Sequence, residues 1–335
     1  MSGVVARQRD LRLGENLAGP VPLTLLTGFL GAGKTTLLRR LLTRPEGVRY
    51  GVLVNDFGAI NIDAGLILET KADSIALSNG CVCCSLKDDL VAAVGNLLST
   101  SPRPDHILLE ASGVSRPLSI LSALEADELK GKVRVEATLC LVDAAEFGGL
   151  DYSMTELAID QACSSDILII NKCDVASEAA IADVENTLSG PMPQMRMVRA
   201  VEADVPCDLV VGFRSDAAKA RLRLRADPAD QGDRHARDHG EDFEAWSWTS
   251  EAPLDRSRFE AALQLLPTKL LRAKGILRIA GEPKAAVFQL VGKRRSMQSI
   301  EAAPPQRSEL VALGPKGSLD AEALTAAFDA TKSNF

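Results

Sequence analysis

GFLGAGKTT, residues 28–36, decides how this chain is read. It fits G-x-x-x-x-G-K-[ST], follows the apolar stretch VPLTLLTG and leads into the helix-like TTLLRRLL. Gly31 and Gly33 let backbone N–H groups converge on phosphate oxygens with no Cβ in the way, and the positive end of the following helix adds attraction. Lys34 is placed to bridge β- and γ-phosphates, and the Thr35 hydroxyl to ligate magnesium. The expected phosphate-binding set is Gly28, Gly31, Ala32, Gly33, Lys34, Thr35 and Thr36.

Outward from that loop, short apolar blocks alternate with helical patterns. VPLTLLTG, YGVLVND, DHILLE, ATLCLVD, DILIINK and MRMVRA have strand length and the Leu/Ile/Val content of strands buried on both faces. DDLVAAVGNLL, MTELAIDQAC and SEAAIADVENTL lie between several of them and repeat apolar residues at three- and four-residue spacing. The expected fold is α/β, a doubly wound, mainly parallel sheet, followed by a smaller α+β domain with an antiparallel sheet. The expected organisation is an N-terminal tail over 1–20, a nucleotide-binding domain over 21–211, a charged linker over 212–242 and a C-terminal domain over 243–335. EAWSWTS, RSRFEAALQLLP, KGILRIAG, AAVFQLVGK, SELVALG and DAEALTAAF supply that last domain.

Composition excludes several classes. The 335 residues are 46% hydrophobic and 25% charged, as ordinary globular chains are, and the N-terminus lacks the apolar core of a signal peptide. No apolar run reaches the roughly 18 residues of a membrane span, so a cytoplasmic protein without a membrane partner is expected. A net charge of -7, without a dense basic patch, argues against nucleic acid. Seven cysteines in a reducing compartment stay free unless they bind metal or do redox work.

Two further segments complete the nucleotide reading. NKCD, residues 171–174, ends the strand-like DILIINK, on the sheet edge where ligands of such folds sit. An aspartate there accepts from both the ring imino and exocyclic amino groups of guanine, a donor pair adenine lacks. Asp174 is thus assigned the choice of GTP. Asn171 is expected to tie the base and phosphate loops together, and the Lys172 stem to lie over the base plane. LLEASG, residues 108–113, ends another strand; Glu110 is expected beside the magnesium, and the Gly113 N–H at the γ-phosphate. Lys34, Thr35, Glu110 and Gly113 form the expected catalytic set.

GFLGAGKTTLL, NDFGAINIDAGLI, LSNGCVCCSLKDDL, LLEASGVSRP, LVDA and NKCD occur in the order and rough spacing of the CobW family of metallochaperone GTPases, which the chain resembles over about residues 21–295. APLDRSRFEAALQLLPTKLLRAKG resembles the start of that family's C-terminal domain. The resemblance implies slow GTP hydrolysis, a metal, most often zinc, at the C-x-C-C segment, and a client apo-metalloprotein. A homodimer is compatible with it. The chemistry agrees. Thiolates of Cys81, Cys83 and Cys84, in a turn loosened by Gly80, are soft ligands that suit zinc, while cobalt, iron or nickel stay open. Three cysteines supply at most three of four tetrahedral ligands, which suits a site that hands its metal on. The fourth is water, Asp56, Asp63 or a client group. The family usually has glutamates where this chain has Asp56 and Ala59. A vicinal-thiol redox switch and a non-enzymatic metal store are the competing readings.

Other residues receive plain expectations. His235 and His239 are read as surface, and His106 as structural. Cys140, Cys163, Cys173 and Cys207 are read as small core residues. Trp246 and Trp248 share one strand face that is either sheet core or a client surface; Arg272 and Lys274 match the family without an assigned role.

Overall fold

The computed structural model describes residues 19–43, 48–54, 74–76, 86–213 and 242–333. They fall into two compact units, one through Val211 and one from Gly212 onward. No described helix is long and apolar enough to cross a membrane.

The first unit is built on seven strands: β1 (Val21–Gly28), β2 (Tyr50–Val54), β3 (Ser74–Ala76), β4 (His106–Glu110), β5 (Val133–Asp143), β6 (Ile167–Asn171) and β7 (Arg196–Arg199). Their order is β3-β2-β4-β1-β5-β6-β7, and every pairing is parallel. β1 and β4 are buried at every position, as unbroken apolar runs in a covered parallel sheet must be. Helices α1 (Lys34–Thr43), α2 (Leu86–Leu98), α3 (Pro117–Leu124), α4 (Tyr152–Cys163), α5 (Glu178–Ser189) and α6 (Cys207–Val211) complete the unit. On one face Leu23, Leu25, Ile107 and Leu109 pack with Val94 and Leu97 of α2 and Ile120 of α3. On the other, Cys140, Val142, Leu168 and Ile170 pack with Ala158 and Ala162 of α4 and Ile181 of α5. The alternation along β6 and β4 thus serves two helical layers.

This is the expected doubly wound sheet, with additions the pattern did not announce. α3 starts on Pro117 at its first turn, where a missing N–H costs nothing. Among the separately placed cysteines, Cys140 is buried, Cys173 and Cys207 are half-buried, and Cys163 is exposed. The core reading of Cys163 is therefore corrected: it closes α4, where the helix ends and its side chain leaves the packed face. Burial pushes the Cys140 thiol up to about 12, so it stays protonated. His106 is fully buried, with Nε2 2.8 Å from Thr24 Oγ1, and Thr24 Oγ1 donates to Val210 O at 2.8 Å. With the hydroxyl proton committed to Val210, the Nε2–H must be the donor in the other bond. β1, β4 and α6 are joined by that chain.

The second unit is the expected α+β domain. It has an antiparallel sheet in the order β11-β10-β9-β12-β8, from β8 (Phe243–Ser250), β9 (Arg272–Leu277), β10 (Ala286–Val291), β11 (Arg294–Ser299) and β12 (Ser308–Pro315). β11 is almost wholly exposed and shows no apolar alternation; it forms because β10 turns back on it through Gly292, whose φ is +53. α7 (Arg256–Ala262) and α8 (Ala321–Asp329) start on the aspartate caps Asp255 and Asp320. Trp246 and Trp248 are buried in this unit's core, which excludes the alternative of an exposed client surface. Their indole N–H groups donate to Thr325 Oγ1 at 3.1 Å and Asp329 Oδ1 at 3.0 Å. Phe328 lies 5.4, 5.7 and 5.5 Å from the rings of Trp246, Trp248 and Phe259.

Phe328→Ala should therefore lower the stability of this unit by about 3–5 kcal/mol, the usual loss for a buried phenylalanine. Both tryptophans of the chain lie here, so intrinsic fluorescence in a denaturant titration reads this unit alone. An unchanged midpoint would show that the aromatic cluster does not hold the domain together.

Candidate functional site

Because every strand of the first sheet is parallel, the C-terminal ends of β1, β4, β5 and β6 share one edge. GFLGAGKTT follows β1, LLEASG ends β4, Asp143 ends β5 and NKCD ends β6. That edge is where open α/β sheets bind ligands.

At Gly28 φ is +127, and a Cβ would lie 2.1 Å from Leu141 O on β5. Only glycine lets the loop leave β1 there. At Gly33 φ is +105 and a Cβ would lie 2.4 Å from Asn171 Nδ2. The loop closes with Ala32 N donating to Phe29 O at 3.3 Å, and α1 begins with Leu37 N donating to Gly33 O at 3.0 Å. Lys34 is buried; its Nζ donates to Gly28 O at 2.9 Å and Phe29 O at 3.0 Å. The ammonium is thus held across the loop, beside a helix N-terminus, an arrangement that attracts phosphate. Thr36 is half-buried in the first turn of α1.

Thr35 Oγ1 donates to Glu110 Oε1 at 2.6 Å, and Glu110 is buried. Register fixes the carboxylate of this pair: Glu110 stands beside Leu26 of β1 and Val54 of β2. A hydroxyl and a carboxylate oxygen are hard donors, which fit magnesium at Thr35 with Glu110 behind it. Gly113 is buried against Leu30 of the phosphate loop.

The NKCD end of the site is assembled around Asn171. Its Nδ2 donates to Ala32 O at 2.9 Å, and its Oδ1 accepts from Ala203 N at 2.7 Å. Lys172 has φ +63, and its Nζ lies 2.6 Å from Asp143 Oδ2, so the end of β5 fixes the lysine stem. Asp174 is exposed. Ser177, not Asp174, caps α5, its side chain accepting from Ala180 N. The cap therefore makes no claim on the Asp174 carboxylate.

Three residues here had gone unassigned. Asp143 was visible in LVDA, but only the fold shows that it holds Lys172. Arg40 of α1 donates to Glu202 O at 2.8 Å and Glu202 Oε2 at 2.7 Å, and lies 3.3 Å from Asp204 Oδ1. It steadies a turn in which Glu202 and Ala203 have φ of +51 and +54. The third is Gln161 of α4, a polar residue at a helix position that faces the core.

Cys81, Cys83, Cys84, Asp56, Ala59 and Asp63 lie outside the described residues, as do His235 and His239. Among the described residues no group of three or more His, Cys, Asp and Glu could hold a metal.

The family described as CobW/HypB/UreG, nucleotide-binding domain, matches residues 22–199, and the one described as Cobalamin synthesis protein cobW C-terminal domain matches 243–332. A Sinorhizobium protein named zinc chaperone CobW is 29% identical over 82% of this chain and 86% of its own length. A Pseudomonas aeruginosa protein of the same name is 30% identical over 86% of this chain and 85% of its own length. The crystal structure of Zn(II)-bound YjiA GTPase from E. coli aligns with 24% identity and a TM-score of 0.45, over 94% of this chain and 99% of that one.

Asn171→Ala leaves the Ala203 N–H and Ala32 carbonyl without their partner, so stability of the first unit should fall by about 2 kcal/mol or more. Nucleotide affinity should fall with it, since phosphate loop and base loop are no longer tied. Urea unfolding followed by circular dichroism, paired with a nucleotide titration, checks both; wild-type values in the variant would dismiss the bridge.

Proposed function

Because the chain belongs to the CobW/HypB/UreG family and also matches the family's C-terminal domain, we propose that it is a GTP-hydrolysing metallochaperone. It binds zinc, or a similar divalent ion, at Cys81, Cys83 and Cys84 and delivers it to a client apo-metalloprotein in the cytoplasm. The zinc chaperone names of relatives that align over most of their length support the cargo.

One observation carries the nucleotide assignment. Asn171 bonds the phosphate loop at Ala32, so NKCD and GFLGAGKTT form a single site spanning base and phosphates. Asp174 recognises guanine through two hydrogen bonds, with Lys172 lying along the base, its amine held by Asp143. Gly28, Gly31, Ala32, Gly33, Thr35 and Thr36 supply the phosphate cradle. Lys34 offsets the charge that develops on the transferring phosphoryl group. Magnesium, when bound at Thr35, neutralises phosphate charge. Glu110 orients the Thr35 hydroxyl through their 2.6 Å bond. Gly113 senses the γ-phosphate by its N–H. GTP orders the segments around Asp56 and Gly113 and brings the cysteines into register; hydrolysis relaxes them and lowers their hold on the cargo.

Asp174→Ala loses two hydrogen bonds to a charged group, each worth roughly 1.5–3 kcal/mol, so GTP affinity should drop about a hundredfold or more while ATP affinity barely changes. Wild-type protein that binds ATP as tightly as GTP in competition would refute the guanine assignment.

Metal and nucleotide must also be coupled. If GTP favours convergence of the three thiolates, zinc favours GTP by the same factor, about 5- to 150-fold for a coupling of about 1–3 kcal/mol. Zinc affinity should weaken as pH falls below about 7, because thiolates must lose protons to bind. Cys83→Ser should weaken zinc and remove its effect on GTP while leaving zinc-free GTP binding intact. Chelator competition with GTP, with GDP and without nucleotide reads this coupling; three equal zinc affinities would end the delivery mechanism.

A further inference from the structure

The turn after β4 meets the phosphate loop at Gly113, where a Cβ would lie 2.7 Å from Leu30 N and 2.6 Å from Leu30 Cδ2. Ser115 N donates to Ser112 O at 3.0 Å and closes the turn. A second element grips the same few residues. Gln161 of α4 is fully buried, and its Nε2 donates to both Gly113 O and Ser115 O at 3.0 Å. One position earlier, Asp160 Oδ2 accepts from Arg116 Nη1 at 3.0 Å. Two successive side chains of α4 therefore hold residues 113–116.

The amide's orientation says what it is for. Gln161 Oε1 is buried and has no hydrogen-bond partner among the described residues. Turning the amide over would set that oxygen against two carbonyl oxygens. The side chain thus commits both N–H donors to the turn and leaves its own carbonyl unsatisfied. Its neighbours on the buried side of α4 are Ala158 and Ala162, so a small apolar residue is the local rule and Gln161 the exception. The Gly113 N–H shares its peptide plane with the Ser112 carbonyl, which accepts from Ser115 N, so Gln161, by gripping Gly113 O and Ser115 O on either side of that bond, steadies the turn that aims the N–H.

We propose that Gln161 is a positioning residue: it fixes the Gly113–Ser115 turn so that the Gly113 N–H meets the γ-phosphate, and thereby sets how well the protein tells GTP from GDP. The proposal rests on the GTPase reading given above. It adds that discrimination is controlled from α4, through a residue that never touches nucleotide. GDP has no γ-phosphate for that N–H, so its binding does not depend on Gln161.

Full-length wild type, Gln161→Leu, Gln161→Met and Gln161→Glu are titrated with GDP and with a non-hydrolysable GTP analogue. In the apolar variants GDP affinity stays within about twofold of wild type while analogue affinity falls tenfold or more, which also reports that the proteins are folded. Gln161→Glu sets a carboxylate against two carbonyls at neutral pH. Protonation on moving toward pH 5 restores one donor, so its deficit for the analogue shrinks, whereas the Leu and Met deficits do not. Equal losses for GDP and analogue in all three variants, a pH-independent deficit in Gln161→Glu, or a wild type that binds the two nucleotides equally would overturn the proposal. Wild type that binds neither nucleotide would instead overturn the GTPase reading.

Discussion

The side-chain amide of Asn171 is the interaction on which the site depends. It donates to the phosphate loop at Ala32 and accepts from Ala203 N, so three segments far apart in sequence meet in one buried group. An amide can do this because it carries donor and acceptor on one rigid plane; aspartate would lose the donor and leucine both. Gly33 follows from the same constraint, since a methyl group there would occupy the place of Asn171 Nδ2. The glycine of the phosphate motif thus answers to a neighbouring strand.

The parallel sheet makes such a meeting cheap. With every strand running the same way, each crossover returns the chain to one edge, and the polar residues that end β1, β4, β5 and β6 need no long loops to converge. Thr35 with Glu110 and Lys172 with Asp143 are both pairs between a residue following one strand and the last residue of another. Backbone register, which is stiff, sets where Glu110 and Asp143 stand, so each carboxylate is fixed where its partner reaches it. Arg40 extends this to the turn around Glu202, whose left-handed backbone needs outside support.

Periodicity announced most of the first sheet because strands buried on both faces leave unbroken apolar runs, and the helices between them carry a face. It failed where neighbours supply the reason. β11 is polar and exposed and exists because β10 pairs with it; Cys163 ends an amphipathic helix and is exposed because the helix stops there. Trp246 and Trp248, ambiguous on a strand face, became core once α8 placed Phe328 and two hydrogen-bond acceptors over them.

What the sequence determined by itself is whatever follows from local pattern: the glycine-rich loop after β1, the NKCD segment, the acidic end of β4 and the succession of strands and helices. Each is a run of a few residues whose chemistry and spacing act over one turn or one strand. The tertiary structure alone decided which of these touch. That Asn171 reaches Ala203, Asp143 holds Lys172 and Gln161 grips Gly113 and Ser115 depends on contacts between residues 29 to 48 positions apart. Such contacts exist only after the apolar faces of α4, α5 and the sheet have packed, because a side chain's partner is chosen by the space the core leaves it.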